Sequence, residues 1–227
     1  SFQILDTGNY QIGIHIADVT HYVQEQTALD EEAYTRGTSI YLVDRVIPML
    51  PERLSNELCS LRPNEDKLCM SVIVEMDPNA KVIRHKICRT VICSDYRLTY
   101  RQAQDILDNQ VQDIQLKNPQ LATAVNTLDQ LAKQLRANRF RQGAINFESP
   151  EVHFRLDDKG EPVGIFFHKL FDSNHLIEEF MLLANRIVAA EIGRKKKDAE
   201  NNQKKVNTDG VVGLVGSTTE QGISETL

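Results

Sequence analysis

The sequence predicts an α+β fold in which an antiparallel sheet core is flanked by helices. Residues 10–19 and 68–76 alternate apolar and polar side chains, which is typical of half-buried strands. A further strand, Val82 to Cys93, follows the turn composition Asp77-Pro78-Asn79-Ala80, so residues 68–93 are predicted to form a hairpin. Strands joined by short turns, with helices between the strand groups, favour an antiparallel sheet.

Two helices are predicted in the middle of the chain from their start signals. Thr99 and Gln102 have the spacing of a capping box, and the helix that they open ends near Leu107. Asn118 before Pro119 is a typical start for a longer helix. That helix carries one apolar stripe, made of Leu121, Val125, Leu128, Leu131 and Leu135.

A second hairpin is predicted from Val152–Leu156 and the strand from Val163 to Phe167. The residues between them, Asp157-Asp158-Lys159-Gly160, admit two interpretations, a carboxylate pair that binds a metal or a tight turn. Because Asp and Gly favour turn geometry, the turn is the favoured interpretation.

The last helix is predicted to begin near Ser173 and to end at Gly193, a residue suited to a C-terminal cap. Residues 194–227 lack apolar periodicity and are predicted to be a polar, disordered tail. Residues 1–193 are therefore predicted to form the folded domain.

Composition limits the classes of protein to consider. Of 227 residues, 41% are hydrophobic and 26% are charged, which is ordinary for a globular protein. No apolar run reaches the ~18 residues that span a bilayer, so no membrane partner is expected. The net charge is −6, which argues against nucleic-acid binding through bulk charge. Since the chain begins with Ser1 rather than methionine, we expect it to be a fragment.

The cysteines indicate a reducing compartment. Cys59, Cys69, Cys88 and Cys93 form no close pair of the kind found in zinc sites, and no secretory signal precedes them. We therefore expect free thiols, no structural zinc and a cytoplasmic location.

Two histidines and one long connection are the candidates for chemistry. His15 and His21 are candidate metal ligands by spacing, but no third ligand lies near in sequence, so ordinary core or surface histidines are favoured.

Residues 36–61 are predicted to be a loop with a short helix that starts at Ser55-Asn56-Glu57. A connection longer than ~12–15 residues inside a compact domain is usually functional. Tyr41 in this connection is either a stacking platform for a base or a packed core residue.

Several motifs occur in one order along residues 8–193. They are IHIADVTHYV at 14–23, LDEEAYTRGTSIYL at 29–42, IPMLPERLSNELCSL at 47–61, LCMSV at 68–72, RLTYRQAQDIL at 97–107, GAINFESPE at 143–151 and LIEEFMLLAN at 176–185. Together they resemble the catalytic domain of the ribonuclease II superfamily, the RNB domain. The motifs RGTSIY and VIPMLP most resemble those of the ribonuclease R branch and its exosome relatives.

The resemblance implies processive hydrolysis of RNA from its 3′ end, with release of nucleoside 5′-monophosphates. It also implies Mg²⁺ as the cofactor and the 3′ end of single-stranded RNA as the partner. In the family a run of aspartates holds the metal just upstream of the first strand, and an arginine acts after the last helix. Neither motif occurs in this chain, so we expect no catalytic or metal-ligating residue here and no activity from the chain alone. The alternative is a non-catalytic module, or a degenerate relative, that binds RNA 3′ ends.

The resemblance implies four substrate contacts. Tyr41 matches the family tyrosine that stacks on the 3′-terminal base, and Phe147 matches the phenylalanine that stacks on a base further in. Tyr100 and Glu178 match positions that select ribose over deoxyribose. For both stacking residues the alternative is core packing, and for Glu178 it is a solvated or half-buried helix residue.

Overall fold

The computed structural model describes residues 1–113, 116–145, 152–157, 162–167 and 170–208. The chain divides into two compact units, Ser1–Ala184 and Asn185–Leu227. The first unit holds the sheets, the first three helices and the beginning of the fourth. The second begins inside that helix.

The described elements alternate between strands and helices. The strands are β1 (Phe2–Ile4), β2 (Tyr10–Ala17), β3 (Ile40–Tyr41), β4 (Val46–Ile47), β5 (Asp66–Met76), β6 (Val82–Cys93), β7 (Val152–Leu156) and β8 (Pro162–Phe167). The α-helices are α1 (Ala28–Arg36), α2 (Tyr100–Leu107), α3 (Pro119–Arg141) and α4 (Asp172–Thr208). A 3₁₀ turn, Val19–His21, and a π-helix, Arg53–Leu58, complete the set.

The main sheet has four antiparallel strands in the order β1-β2-β5-β6. In its register Ile12 is opposite Val74 and Ile14 is opposite Val72, so these side chains share a face, and all four are buried. The predicted α+β class, the strand at residues 10–19 and the 68–93 hairpin are therefore confirmed. The second predicted hairpin is confirmed as the antiparallel pair β7–β8. Residues 158–161, which include most of the predicted turn, lie outside the described residues.

Both predicted helix starts have the expected caps. The Thr99 side chain accepts from the Gln102 backbone N–H at 3.2 Å, and the Gln102 side chain accepts from the Thr99 backbone N–H at 2.9 Å. The Asn118 side chain accepts from Gln120 N–H at 2.9 Å at the start of α3. Three members of the predicted apolar stripe of α3 are buried, namely Val125, Leu131 and Leu135.

Two details of the sequence prediction are wrong. The last helix does not end at Gly193 but continues to Thr208. The residues from Arg194 to Glu200 are mostly good helix formers, and one interior glycine costs a helix only about 1 kcal/mol. The short helix of the 36–61 connection begins at Arg53, before the expected start at Ser55, and has π geometry.

Among the described helices, none is both long and apolar enough to cross a bilayer.

Candidate RNA-binding site

Tyr41 lies on a small hairpin made of β3 and β4. It is opposite Val46 in the register, and the Leu42 N–H donates to the Arg45 carbonyl at 2.8 Å to close the turn. The Tyr41 side chain is 78% exposed, so the core-packing interpretation is wrong for this residue. An exposed aromatic ring on a two-stranded hairpin is free to stack on a planar ligand.

The Tyr41 hairpin is anchored at its base. The Arg36 guanidinium donates to the Pro48 carbonyl at 3.1 Å, and the Met49 N–H donates to the Ser39 hydroxyl at 2.9 Å. Beyond this base the apolar side chains face solvent: Ile40, Leu42, Val43, Val46 and Ile47 are all more than 40% exposed. The connection therefore presents an apolar surface around Tyr41 instead of burying it.

Tyr100 is the first residue of α2, where the capping box fixes the start of the helix. Its side chain is exposed, and its backbone carbonyl accepts a 2.8 Å hydrogen bond from the hydroxyl of Ser173. The Ser173 N–H donates to the Gln104 side chain at 3.2 Å. These two bonds join the first turn of α4 to α2, so Tyr100 and the helix that carries Glu178 lie side by side.

Glu178 lies on α4 and its side chain is 46% exposed. Its carboxylate accepts from Arg136 at 3.5 Å and from Arg139 at 3.4 Å, and it lies 3.1 Å from the Nδ1 atom of His175. The half-buried interpretation is therefore closer to the structure than a fully solvated residue. The carboxylate keeps an exposed side on which it can accept further hydrogen bonds.

Glu179 is the site residue that sequence reasoning missed. It is only 1% exposed, and its carboxylate accepts from Nε of Arg139 at 3.2 Å and from Nη2 at 2.5 Å. The sequence does contain a signal for this burial. Glu179 falls at helical spacing between Leu176 and Leu183, which are both buried, so it lies on the apolar face of α4.

A row of polar side chains crosses the main sheet. The Nδ1 atom of His15 lies 2.7 Å from the Ser71 hydroxyl, which lies 2.5 Å from the Thr90 hydroxyl. Burial lowers the pKa of His15. His21, in contrast, belongs to the 3₁₀ turn, where its ring packs edge-on against Tyr22 at 5.0 Å.

Within the part of the chain that the structure describes, no group of three or more His, Cys, Asp or Glu side chains could hold a metal ion. The described residues therefore do not fit a resident metal. Phe147 and Asp158 lie outside the described residues. The four cysteines are free thiols, of which Cys69 is buried.

The comparisons with known proteins agree with this fold. The RNB domain family matches residues 1–201, and the chain belongs to this family. It is 40% identical to DIS3-like exonuclease 2 of Schizosaccharomyces pombe over 91% of this chain and 24% of that protein. It is 45% identical to ribonuclease R of Thermotoga maritima over 83% of this chain and 26% of that protein. The chain thus spans about a quarter of the length of these relatives.

Solved structures have the same fold. Ribonuclease R of Mycoplasma genitalium, in complex with double-stranded RNA, matches with a TM-score of 0.79 and 29% identity over 86% of this chain and 34% of that one. Yeast Ssd1, described as a pseudonuclease, matches with a TM-score of 0.53 and 20% identity over 62% of this chain. The second likeness concerns the fold alone. Because a fold does not by itself imply an activity, function has to be argued from the site.

Proposed function

We propose that this chain is the part of a 3′-to-5′ exoribonuclease catalytic domain that holds the 3′ end of single-stranded RNA. In the intact enzyme the reaction is processive hydrolysis with release of nucleoside 5′-monophosphates. The observation that carries the proposal is the exposure of Tyr41, at 78%, on an anchored hairpin of an RNB-family chain. A cytoplasmic location is part of the proposal, and it is supported by the four free thiols.

Tyr41 supplies the stacking surface in this proposal. Every base has a flat π face, so stacking on an aromatic ring binds RNA without reading its sequence. Such a contact is worth about 1–3 kcal/mol per base. The surrounding aliphatic side chains, Leu42 and Val43 among them, keep water from the edges of the stacked base. Phe147 is the second stacking residue that we propose, on the strength of its motif alone.

Tyr100 and Glu178 supply the selection of ribose. The 2′-hydroxyl of RNA both donates and accepts hydrogen bonds, and it distinguishes RNA from DNA. An ionised carboxylate accepts only, so Glu178 receives a hydrogen bond from ribose and none from deoxyribose. The Tyr100 hydroxyl contacts the adjacent sugar or phosphate. The bonds of Ser173 to α2 support a common site for both residues.

Hydrolysis in this proposal requires a divalent cation, Mg²⁺ by the family resemblance. When bound, such an ion activates water and stabilises the leaving oxygen. Since the described residues do not fit a metal, we propose that its carboxylate ligands lie outside them. The role of the described residues is to bind, orient and select the RNA end.

A comparison of linear and circular RNA tests this proposal. Fluorescence anisotropy is measured with this chain and a short single-stranded RNA, in its linear form and as a circle of the same sequence. We expect the linear RNA to bind more tightly, because only it offers a 3′-terminal base to Tyr41. Equal affinity for the two forms would contradict the proposal. In a parallel incubation with Mg²⁺ we expect no release of mononucleotides, and their release would place the metal site within this chain.

A further inference from the structure

Helices α3 and α4 are joined by a row of ion pairs. Lys133 contacts Asp172 at 2.7 Å, Arg136 contacts Glu178 at 3.5 Å, and Arg139 contacts Glu179 at 2.5 Å. The residue numbers increase together on both helices, so the two helices run in the same direction. Each pair of this row therefore fixes the register of α4 against α3.

Glu179 is the most deeply buried charge in this row. Its carboxylate is 1% exposed, and the Arg139 side chain that covers it is 22% exposed. A buried carboxylate that lacks a partner is strongly unfavourable, so Glu179 holds the guanidinium of Arg139 in place. The guanidinium also lies over the Phe140 ring, 5.0 Å from its centroid. Arg139 thus has one fixed orientation.

The fixed guanidinium also reaches the neighbouring glutamate. Nη2 of Arg139 lies 2.5 Å from Glu179 and 3.4 Å from Glu178. One nitrogen therefore serves two carboxylates that are adjacent in sequence, with the shorter contact to the buried one. As long as Glu179 engages Arg139, this guanidinium makes only a long contact with one oxygen of Glu178, and the exposed side of that carboxylate remains available to a ligand.

We propose that Arg139 and Glu179 form a positioning pair that keeps the Glu178 carboxylate available to ribose and so sets the preference for RNA over DNA. The proposal rests on the role of Glu178 given above. When Glu179 loses its charge, Arg139 turns to Glu178 as its remaining carboxylate. A planar guanidinium binds a carboxylate in a two-pronged fashion, so the oxygens that would accept from the ribose hydroxyl become occupied.

The test is the ratio of the dissociation constants of this chain for a DNA and an RNA oligonucleotide of matched sequence. We expect Glu179→Gln to lower this ratio roughly tenfold to a hundredfold, the range for one hydrogen bond to a charged group. Arg139→Lys should not lower the ratio, because a lysine has no two-pronged guanidinium to occupy Glu178. The affinity for DNA should stay unchanged, because deoxyribose makes no bond to Glu178. Lys133→Gln is the matched control, since it breaks an ion pair between the same helices without touching Glu178.

The outcomes separate positioning from packing. A lower ratio in Glu179→Gln, with the ratios of Arg139→Lys and Lys133→Gln not lowered, supports the positioning pair. A parallel loss of RNA and DNA affinity, with an unchanged ratio, would overturn it, because that is the effect of a loosened helix pair. Thermal unfolding of each variant checks the fold, and a lower ratio in Arg139→Lys would overturn the inference even if Glu179→Gln does not fold. If Glu178→Gln itself leaves the ratio unchanged, the proposed ribose contact fails. If Glu178→Gln lowers the ratio and Glu179→Gln does not, only the positioning inference fails.

Discussion

The hydroxyl of Ser173 donates a 2.8 Å hydrogen bond to the backbone carbonyl of Tyr100, and Ser173 is only 2% exposed. This bond joins the first turns of α2 and α4. It explains how two residues with sequence motifs of their own, Tyr100 and Glu178, come to lie on adjoining helices. The proposed ribose site depends on this junction.

Ser173→Ala should destabilise the protein. The variant removes the part-buried hydrogen bond to the Tyr100 carbonyl, which costs about 0.5–1.5 kcal/mol of the free energy of unfolding. Urea denaturation followed by circular dichroism measures the change. The matched control is Ser55→Ala. The Ser55 hydroxyl makes only an exposed 3.4 Å contact to the Pro51 carbonyl, so this variant should lose much less free energy of unfolding. Equal losses in the two variants would show that the junction bond contributes nothing specific.

Tyr41→Ala should weaken binding to linear RNA. Loss of one base stack costs roughly 1–3 kcal/mol, which corresponds to about a tenfold to hundredfold higher dissociation constant. The melting temperature should not change, because the ring is exposed and packs against little. Tyr34→Ala serves as the control, since Tyr34 is an exposed tyrosine on α1, at 89%, outside the proposed site. If both variants bind like the parent chain, Tyr41 does not stack on RNA.

Local signals in the sequence predicted most of the fold. Alternating apolar and polar residues predict the strands β2, β5 and β6, and capping residues predict the helix starts at Thr99 and Asn118. Both signals depend on residues only a few positions apart. The short strands β1, β3 and β4 were not predicted, because two or three residues carry too little pattern. The continuation of α4 past Gly193 does not follow from the capping rule, because the helix formers after this glycine outweigh its cost of about 1 kcal/mol.

The candidate site was predictable in its residues but not in its geometry. Tyr41, Tyr100 and Glu178 follow from motifs, whereas the junction of α2 with α4 is a tertiary contact between distant residues. The different burial of Glu178 and Glu179 depends on which face of α4 meets α3. A pair of adjacent glutamates in the sequence does not contain that information.

His15 should make stability depend on pH near neutrality. Burial lowers its pKa in the folded state, so the unfolded chain binds the proton more readily. The stabilising contribution of the neutral ring is therefore complete above the ordinary histidine value of about 6.5 and is lost as the pH falls from that value through the lower folded value. Urea denaturation at a series of pH values should show this loss for the parent chain. His15→Gln, which cannot titrate, should lose less stability than the parent chain as the pH falls below about 6.5. If the two chains lose stability identically, His15 is not the group responsible.

Asp18 should produce a separate loss of stability in acid. A hydrogen bond from the Thr20 hydroxyl and the nearby Arg89 lower the pKa of its carboxyl. The carboxylate therefore stabilises the fold above the ordinary aspartate value of about 3.9, and this contribution is lost as the pH falls through the lower folded value. Asp18→Asn should weaken the acid transition of the parent chain in the same denaturation series. If Asp18→Asn loses stability in acid as the parent chain does, other carboxylates cause that loss.

The central claim is that this chain recognises ribose at an RNA end, and the double variant Tyr100→Phe with Glu178→Ala tests it most directly. The measurement is the affinity of parent and variant for matched RNA and DNA oligonucleotides with free 3′ ends. We predict that the parent chain prefers RNA and that the variant loses this preference by weaker RNA binding, because its acceptor for the 2′-hydroxyl is gone. The variant should keep its fold and its affinity for DNA. A variant that retains the full preference for RNA, or a parent chain that binds DNA as tightly as RNA, would contradict the claim.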